Sequence, residues 1–227
     1  MPSETSGPRR GRGERAGLSR GRVLDAALQL VDRTGLKGLT MRALGEELQV
    51  EAMTLYHYVP NKDALLDGLV EQVFAAAAPA LDHTDTTQGA PDWRAALRGY
   101  ATALRTGLLR HPAVLPLAAS RPAATPAALD DVEASLRMLT AAGFPLDQAL
   151  HVLNTLSLFV VGHTVAEAQL SGDPGRPGGT GWLAGLQADR YPLVTRAARE
   201  GLGVDDAERF SFAVEALLLG FDALRAR

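Results

Sequence analysis

Apolar residues recur along this chain at helical spacing, and no run alternates as a half-buried strand would. Val23, Ala27, Leu30 and Val31 follow the i, i+4, i+7, i+8 pattern of a helix with one buried face. Leu18 and Ser19 stand ahead of it as hydrophobic staple and N-cap, and Gly35, followed by Leu36, is placed to stop it. Residues 39–62 read as two short helices joined by a tight turn, then the start of a third. Thr40 caps the first, Leu39 and Leu44 form its staple, and Leu44 and Leu48 turn inward while Arg42, Glu46 and Glu47 face out. Gln49 and Val50 make the turn. The second helix is predicted over residues 52–58, with Leu55 and Val59 inward and Ala52, Met53, Thr54, Tyr56 and His57 left outside. Asn61 caps a third, expected to run to Ala78 and stop at Pro79.

Beyond a linker at 82–92, the pattern predicts helices at 93–110, 113–119, 126–142, 146–169, 182–200 and 205–226, with a Gly/Pro-rich loop at 171–181. The fold class is therefore all-α. It is divided into an arm (1–18), a three-helix helix-turn-helix domain with its connector helix (19–78), and a larger helical domain (91–227).

Composition narrows the function. The chain of 227 residues is 46% hydrophobic but only 5% aromatic, so its core is built mainly from Ala, Leu and Val. It has no cysteine, which excludes disulfides and thiolate metal sites. No charge-free apolar window of membrane-spanning length and no secretory signal stand out, so a cytoplasmic protein with no membrane partner is expected. A net charge of −3 argues against indiscriminate nucleic-acid binding, but its distribution is uneven. Residues 1–22 carry six arginines against two glutamates, whereas residues 79–227 carry 13 basic and 16 acidic side chains. The positive charge thus lies beside the helix-turn-helix. The arm either tracks the DNA backbone or minor groove, or is a solubilising tail.

A short helix presenting Thr, Tyr and His beside exposed Arg and Lys has no packing reason to exist, whereas a DNA major groove supplies one. The run RVLDAALQLVDRTGLKGLTMRALGEELQVEAMTLYHYVPNKDALLDGLV, residues 22–70, resembles the TetR family of transcriptional repressors, most specifically in GLTMRALGEEL, TLYHYV and NKDALL. The resemblance implies that Arg42 contacts base edges and that Ala52, Met53, Thr54 and His57 face bases or the groove wall. It also implies that Thr40, Tyr56 and Lys62 hold phosphates of double-stranded DNA. One departure is Gln49, where the family usually has Gly; a left-handed conformation there costs roughly 1 kcal/mol relative to glycine.

Two helices of the larger domain are apolar around too much of their circumference for a monomer. Residues 146–170 carry Leu150, Leu153, Leu156, Leu158, Phe159, Val160 and Val161. The last helix has Phe210, Val214, Leu217, Leu218, Phe221 and Leu224 on one face, with Phe212 and Leu219 elsewhere. Packing the excess against a second copy makes a four-helix homodimer interface, and two recognition helices then read a palindromic operator. Trp93, LLRHPAVLPLAASRP, AAGFPLDQAL and Gly162 are similar to the tetracycline-repressor type within the family, which implies a cavity for a small-molecule effector among the middle helices. The positions of that type's polar and metal-binding groups fall here on Ala78, Tyr100, Leu104, Leu117 or Ala118, Ser135 and Leu158; only Arg121-Pro122 is retained. A magnesium-chelated drug is therefore not expected. The expected ligand is largely hydrophobic, lined by Tyr100, Leu104, Leu117, Arg121, Ser135, Asn154, Leu158 and His163, with no cofactor and no metal. His151 and His163 are about 18 Å apart along one helix and cannot share an ion. No phosphate loop, HExxH or nucleophile elbow is present, and Asp130-Asp131 and Asp205-Asp206 sit where they favour helix starts, so no catalytic residue is assigned. Two other readings remain open: a DNA-binding regulator with no small ligand, and a ligand-binding or enzymatic helical protein with a vestigial motif.

Overall fold

A computed structural model describes residues 17–81, 92–121, 125–171 and 186–225. The arm up to residue 16, the linker at 82–91 and most of the Gly/Pro-rich loop lie outside the described residues. The helices are α1 (Arg20–Gly38), α2 (Met41–Glu47), α3 (Ala52–Leu55), α4 (Lys62–Ala75), α5 (Trp93–Arg110), α6 (Leu115–Ala118), α7 (Pro126–Ala141), α8 (Leu146–Ser171), α9 (Pro192–Glu200) and α10 (Asp206–Arg225). Short 3-10 turns at Ala78–Leu81 and Pro112–Val114 extend α4 and precede α6.

Side chains cap the starts of these helices as their residue types require. Ser19 accepts from the Arg22 amide, Thr40 from Ala43, Asn61 from Ala64 and Thr125 from Ala128. Gly35 interrupts α1 at φ 70°, and a further turn carries the chain to Leu39. The staple residues Leu39 and Leu44 are fully buried, as are Val23, Ala27 and Val31 along α1.

Four elements are shorter than the apolar pattern predicts, each because of a proline. The recognition helix is a single turn, Ala52–Leu55, followed by tight turns in which Tyr58 and Val59 donate to the Leu55 carbonyl at 2.9 and 3.0 Å. Pro60 disfavours helical backbone at Val59, so the helix cannot continue. Pro79 likewise ends α4 at Ala75, with a 3-10 turn after it. Pro112 and Pro116 split the 113–119 element into a 3-10 turn and α6. Pro192 starts α9, so residues 186–191 are not helical where a helix from 182 was expected; Trp182 itself lies outside the described residues.

Small residues set how closely the first four helices approach. A Cβ at Gly45 would lie 2.9 Å from the Val50 carbonyl oxygen, so α2 sits directly on the turn that leads to α3. A Cβ at Gly68 would lie 2.4 Å from Leu24 Cδ2, which fixes the α1–α4 contact. Gln49 has φ 56°, the one left-handed non-glycine among the described residues. Arg20 grips Glu71 with two bonds of 2.5 and 2.8 Å, and Thr125 adds a third. The guanidinium, more than burial opposes, holds the Glu71 carboxyl below the usual carboxylate range.

In the larger part, α5 lies against α8 and α10. Trp93 meets Phe144 edge-on at 4.9 Å, and Arg98 pairs with Glu215 at 2.5 and 3.0 Å. The stretches Lys62–Leu81 and Leu146–Gln169 match a membrane span in length and apolarity. Leu65, Leu69, Val70 and Val73 of the first are buried in the core, and Val152, Leu156 and Val160 of the second pack there too.

Two stability predictions follow from these contacts. Gln49→Gly relieves about 1–2 kcal/mol of left-handed strain and returns part of it as unfolded-chain freedom, for a net gain of up to about 1 kcal/mol. Thermal unfolding of the variant is expected some 2–4 °C higher; a lower melting temperature would show that the Gln49 side chain contributes more than its backbone costs. Glu71→Gln is expected to cost about 1–2 kcal/mol, because Arg20 is half exposed and water replaces part of the lost bond. A carboxyl held low in the folded state stabilises above its unfolded pKa and ceases to as pH falls through its folded one. The difference between wild type and variant in denaturant titrations should therefore shrink below about pH 4.

Candidate DNA-binding face and effector cavity

The exposed side of α2 and α3 carries the side chains that the sequence pattern left outside. Met53 is 71% exposed, and Tyr56 and His57 are also exposed, while Leu55 and Val59 are buried beneath them. Ala52 and Thr54 are half-buried on the same turn. Arg42 projects from α2 and is steadied by Glu46, with Nε to Oε1 at 3.0 Å. Thr40 accepts from an amide with its hydroxyl oxygen, which leaves its proton to donate to an acceptor such as a phosphate oxygen. Lys62 is exposed in the first turn of α4, which Asn61 caps. The eight residues thus surround one short helix. Lys37, exposed just ahead of Thr40, adds a cation that the sequence pattern did not single out.

A cavity of about 400 Å³ opens between α4, α5, α6, α7 and α8. Tyr100, Arg121, Ser135, Asn154 and Leu158 line it, together with Val70 and Phe74 from α4 and Ala118 and Ala119 after α6. On α8 the lining residues are Leu150, Leu153, Asn154, Ser157, Leu158, Val161 and Gly162, a continuous stripe at helical spacing. His163 falls off that stripe. Its ring rests 5.6 Å from Phe159 and 5.3 Å from Phe210, with Nε2 3.8 Å from Glu167. Burial lowers its pKa, so it sits there as a neutral imidazole at neutral pH. Leu104 and Leu117 also fail to reach the wall. Leu104 is fully buried one turn beyond Tyr100, and Leu117 points into the core while Ala118 takes the place at the cavity. Val70 and Phe74 went unforeseen because the apolar pattern of α4 marks buried positions without saying whether they meet side chains or a void.

The polar groups of the wall are few and separated. Tyr100 Oη lies 3.4 Å from Ser157 Oγ, and burial pushes its phenol up, so it serves as a neutral donor. Ser135 donates to the Asp131 carbonyl at 2.7 Å. Arg121 bonds away from the wall, to Asp67 Oδ1 at 2.6 Å and Asp63 Oδ1 at 2.9 Å on α4. A neighbouring hollow of about 480 Å³, which includes Ala78, Pro79, Asp131, Arg137 and Met138, shares Ser135 with this one. It is bounded by the end of the α4 extension and carries two charged side chains, Asp131 and Arg137, where the 400 Å³ cavity has only Arg121. The 400 Å³ cavity is the better-shaped ligand site.

Apolar side chains also stand exposed on α8 and α10: Leu158, which lines the cavity as well, is 73% exposed, Phe212 76% and Leu219 68%. They face away from the core that Leu156, Val160, Val214 and Leu218 fill.

Residues 23–69 match the family described as bacterial regulatory proteins, tetR family, and residues 86–225 match the tetracyclin repressor-like C-terminal domain. The chain is 31% identical to the HTH-type transcriptional repressor DrrR1 of Streptomyces coeruleorubidus, covering 98% of this chain and 84% of that one. It is 34% identical to the class D tetracycline repressor protein of Escherichia coli, covering 91% and 90%. Among solved structures it is similar to the Streptomyces coelicolor TetR family protein ActR in complex with actinorhodin, at TM-score 0.72 and 26% identity, covering 92% and 99%. An exposed recognition turn, a connector helix shared with a cavity, and both family domains in sequence place the chain in the TetR family of transcriptional regulators.

Proposed function

We propose that this chain is a homodimeric, cytoplasmic transcriptional repressor that holds a palindromic operator and leaves it when a small, largely apolar ligand fills the 400 Å³ cavity. The observation that carries this reading is the double role of α4. Val70 and Phe74 are part of the cavity wall, while the capped start of the same helix carries Lys62 beside the recognition turn. Filling the cavity therefore acts on the element that sets where the recognition turn stands. A ligand that lowers operator affinity 100-fold must favour the released arrangement by about 2.7 kcal/mol. Among the described residues the lining has hydroxyls, an amide and one arginine but no carboxylate or imidazole, which suits an aromatic ligand with few polar anchors better than a metal chelate. Related proteins support the class: DrrR1 is a repressor, and ActR is held in complex with actinorhodin. The regulator without a ligand is disfavoured by the cavity itself, since a chain needing only to dimerise would fill that volume with side chains.

Selection of bound sites from random duplex DNA at about 150 mM salt, which suppresses non-specific phosphate binding, should enrich a palindrome. Recovery of no site with or without candidate ligands would overturn the operator reading. Arg42→Ala with Tyr56→Ala should weaken binding to the recovered site at least about 100-fold while leaving thermal stability unchanged, because base and phosphate contacts are lost in both subunits. Phe212→Lys with Leu219→Lys should convert the dimer to monomer in sedimentation and abolish operator binding; a dimer that persists would place the interface elsewhere.

A further inference from the structure

Arg121 belongs to two places at once. Its side chain lines the cavity beside Ala118 and Ala119, and its donors reach Asp67 at 2.6 Å, Asp63 at 2.9 Å and the Asp63 carbonyl at 3.4 Å. Asp63, Asp67 and Glu71 fall at i, i+4 and i+8, so they form one acidic edge of α4. Two residues of the larger part meet this edge: Arg121 holds its first two carboxylates, and Thr125 bonds the third. The two ends of the edge differ. Glu71 is 8% exposed and also clamped by Arg20, so that end is fixed. The Asp63 side chain is 81% exposed and that of Asp67 39%, so both can pass into water without a burial penalty. The releasable end is the one next to Lys62 and the recognition turn. It stands about 12 Å along the helix from Glu71.

We propose that Arg121 is the latch between cavity and DNA-binding face, and that the effector it answers to is an apolar, aromatic-sized molecule carrying an acidic oxygen such as a carboxylate, sulfonate or phenolate. This rests on the effector-binding reading of the cavity. An anionic oxygen within reach of the guanidinium does not simply add a third partner. Three anions around one cation repel one another, so the ligand displaces Asp67 and Asp63, and the first turns of α4 are freed to swing about the Glu71 end. A neutral ligand of the same shape fills the cavity without drawing Arg121 away. Arg121 is thus a specificity residue for the ligand and a positioning residue for the operator.

Two dyes with the same anilinonaphthalene skeleton separate these effects: 1-anilinonaphthalene-8-sulfonate, which carries an anion, and N-phenyl-1-naphthylamine, which does not. Binding to the cavity is the fraction of fluorescence lost in Leu153→Trp, which fills it. In Arg121→Gln the affinity ratio of sulfonate to neutral dye should fall at least tenfold while neutral-dye affinity changes less than twofold, and Arg121→Lys should restore part of the ratio. Asp63→Asn with Asp67→Asn should instead raise sulfonate affinity, because the competing carboxylates are gone. On the selected operator, the sulfonate should weaken wild-type binding, whereas both variants should bind about tenfold more weakly without dye and respond little to it. An unchanged dye ratio in Arg121→Gln overturns the latch and leaves the cavity reading standing, as does sulfonate binding that leaves operator affinity unaltered. If neither dye binds wild type in a Leu153→Trp-sensitive manner, the cavity reading fails and the latch fails with it.

Discussion

Burial of one helix, α4, on two sides is the constraint on which the other features depend. Leu65 and Leu69 are fully buried, and Gly68 lets Leu24 of α1 approach closer than any side chain would allow. Farther along, Val73 packs near Gly107 of α5, while Val70 and Phe74 reach the cavity. A helix packed this closely moves as a rigid rod, since core packing leaves little room for continuous deformation. In the proposed release, this packing would carry a displacement at the Phe74 end to Asn61 and Lys62, beside the recognition turn.

Polar contacts decide which displacement is available. Arg20 and Thr125 hold Glu71 in a buried setting, whereas Arg121 holds Asp63 and Asp67 at the surface. His111 adds another cross-link from the larger part, with Nδ1 2.8 Å from Asp32 on α1. These ion pairs add modestly to stability, because most of them are partly solvated. Their directional geometry fixes how the first four helices sit on the rest. The strain at Gln49 belongs to the same economy. A left-handed glutamine is tolerated because the turn is closed on both sides of its Cα, by the Gln49 amide on the Glu46 carbonyl at 3.2 Å and the Val50 amide on the Gly45 carbonyl at 2.9 Å.

The recognition turn and the cavity place different demands on sequence. DNA contact needs exposed polar residues on a capped, short-range motif, so Thr40, Arg42, Tyr56, His57 and Lys62 could be picked out from local spacing and from what the inward apolar residues left over. A cavity is defined by what several distant helices fail to fill. Tyr100, Ser135, Asn154 and Leu158 come from three helices, and the register of each against the others is set by long-range packing. Leu104, Leu117 and His163 lie only one turn or one position from wall residues, yet they face the core or the Arg105–Glu167 pair instead. A step of about 40–100° around a helix separates a ligand contact from a structural one.

By itself the sequence determined the all-α class, the order of the helices, their caps at Ser19, Thr40 and Asn61, the position of the turn at Gln49 and Val50, and the exposed face of the motif. Each of these depends on residues within a turn or two of one another, where hydrogen bonding and apolar period act locally. It also contained Pro60 and Pro79, although the apolar pattern carried the helices before them three residues farther than the structure does. Only the tertiary structure decided that Val70 and Phe74 face a void, that Arg121 turns from the cavity to two aspartates 54 and 58 residues away, and that His163 sits among phenylalanines. Those outcomes depend on how helices cross. Crossing is settled by the packing of many side chains at once, and no local spacing records it.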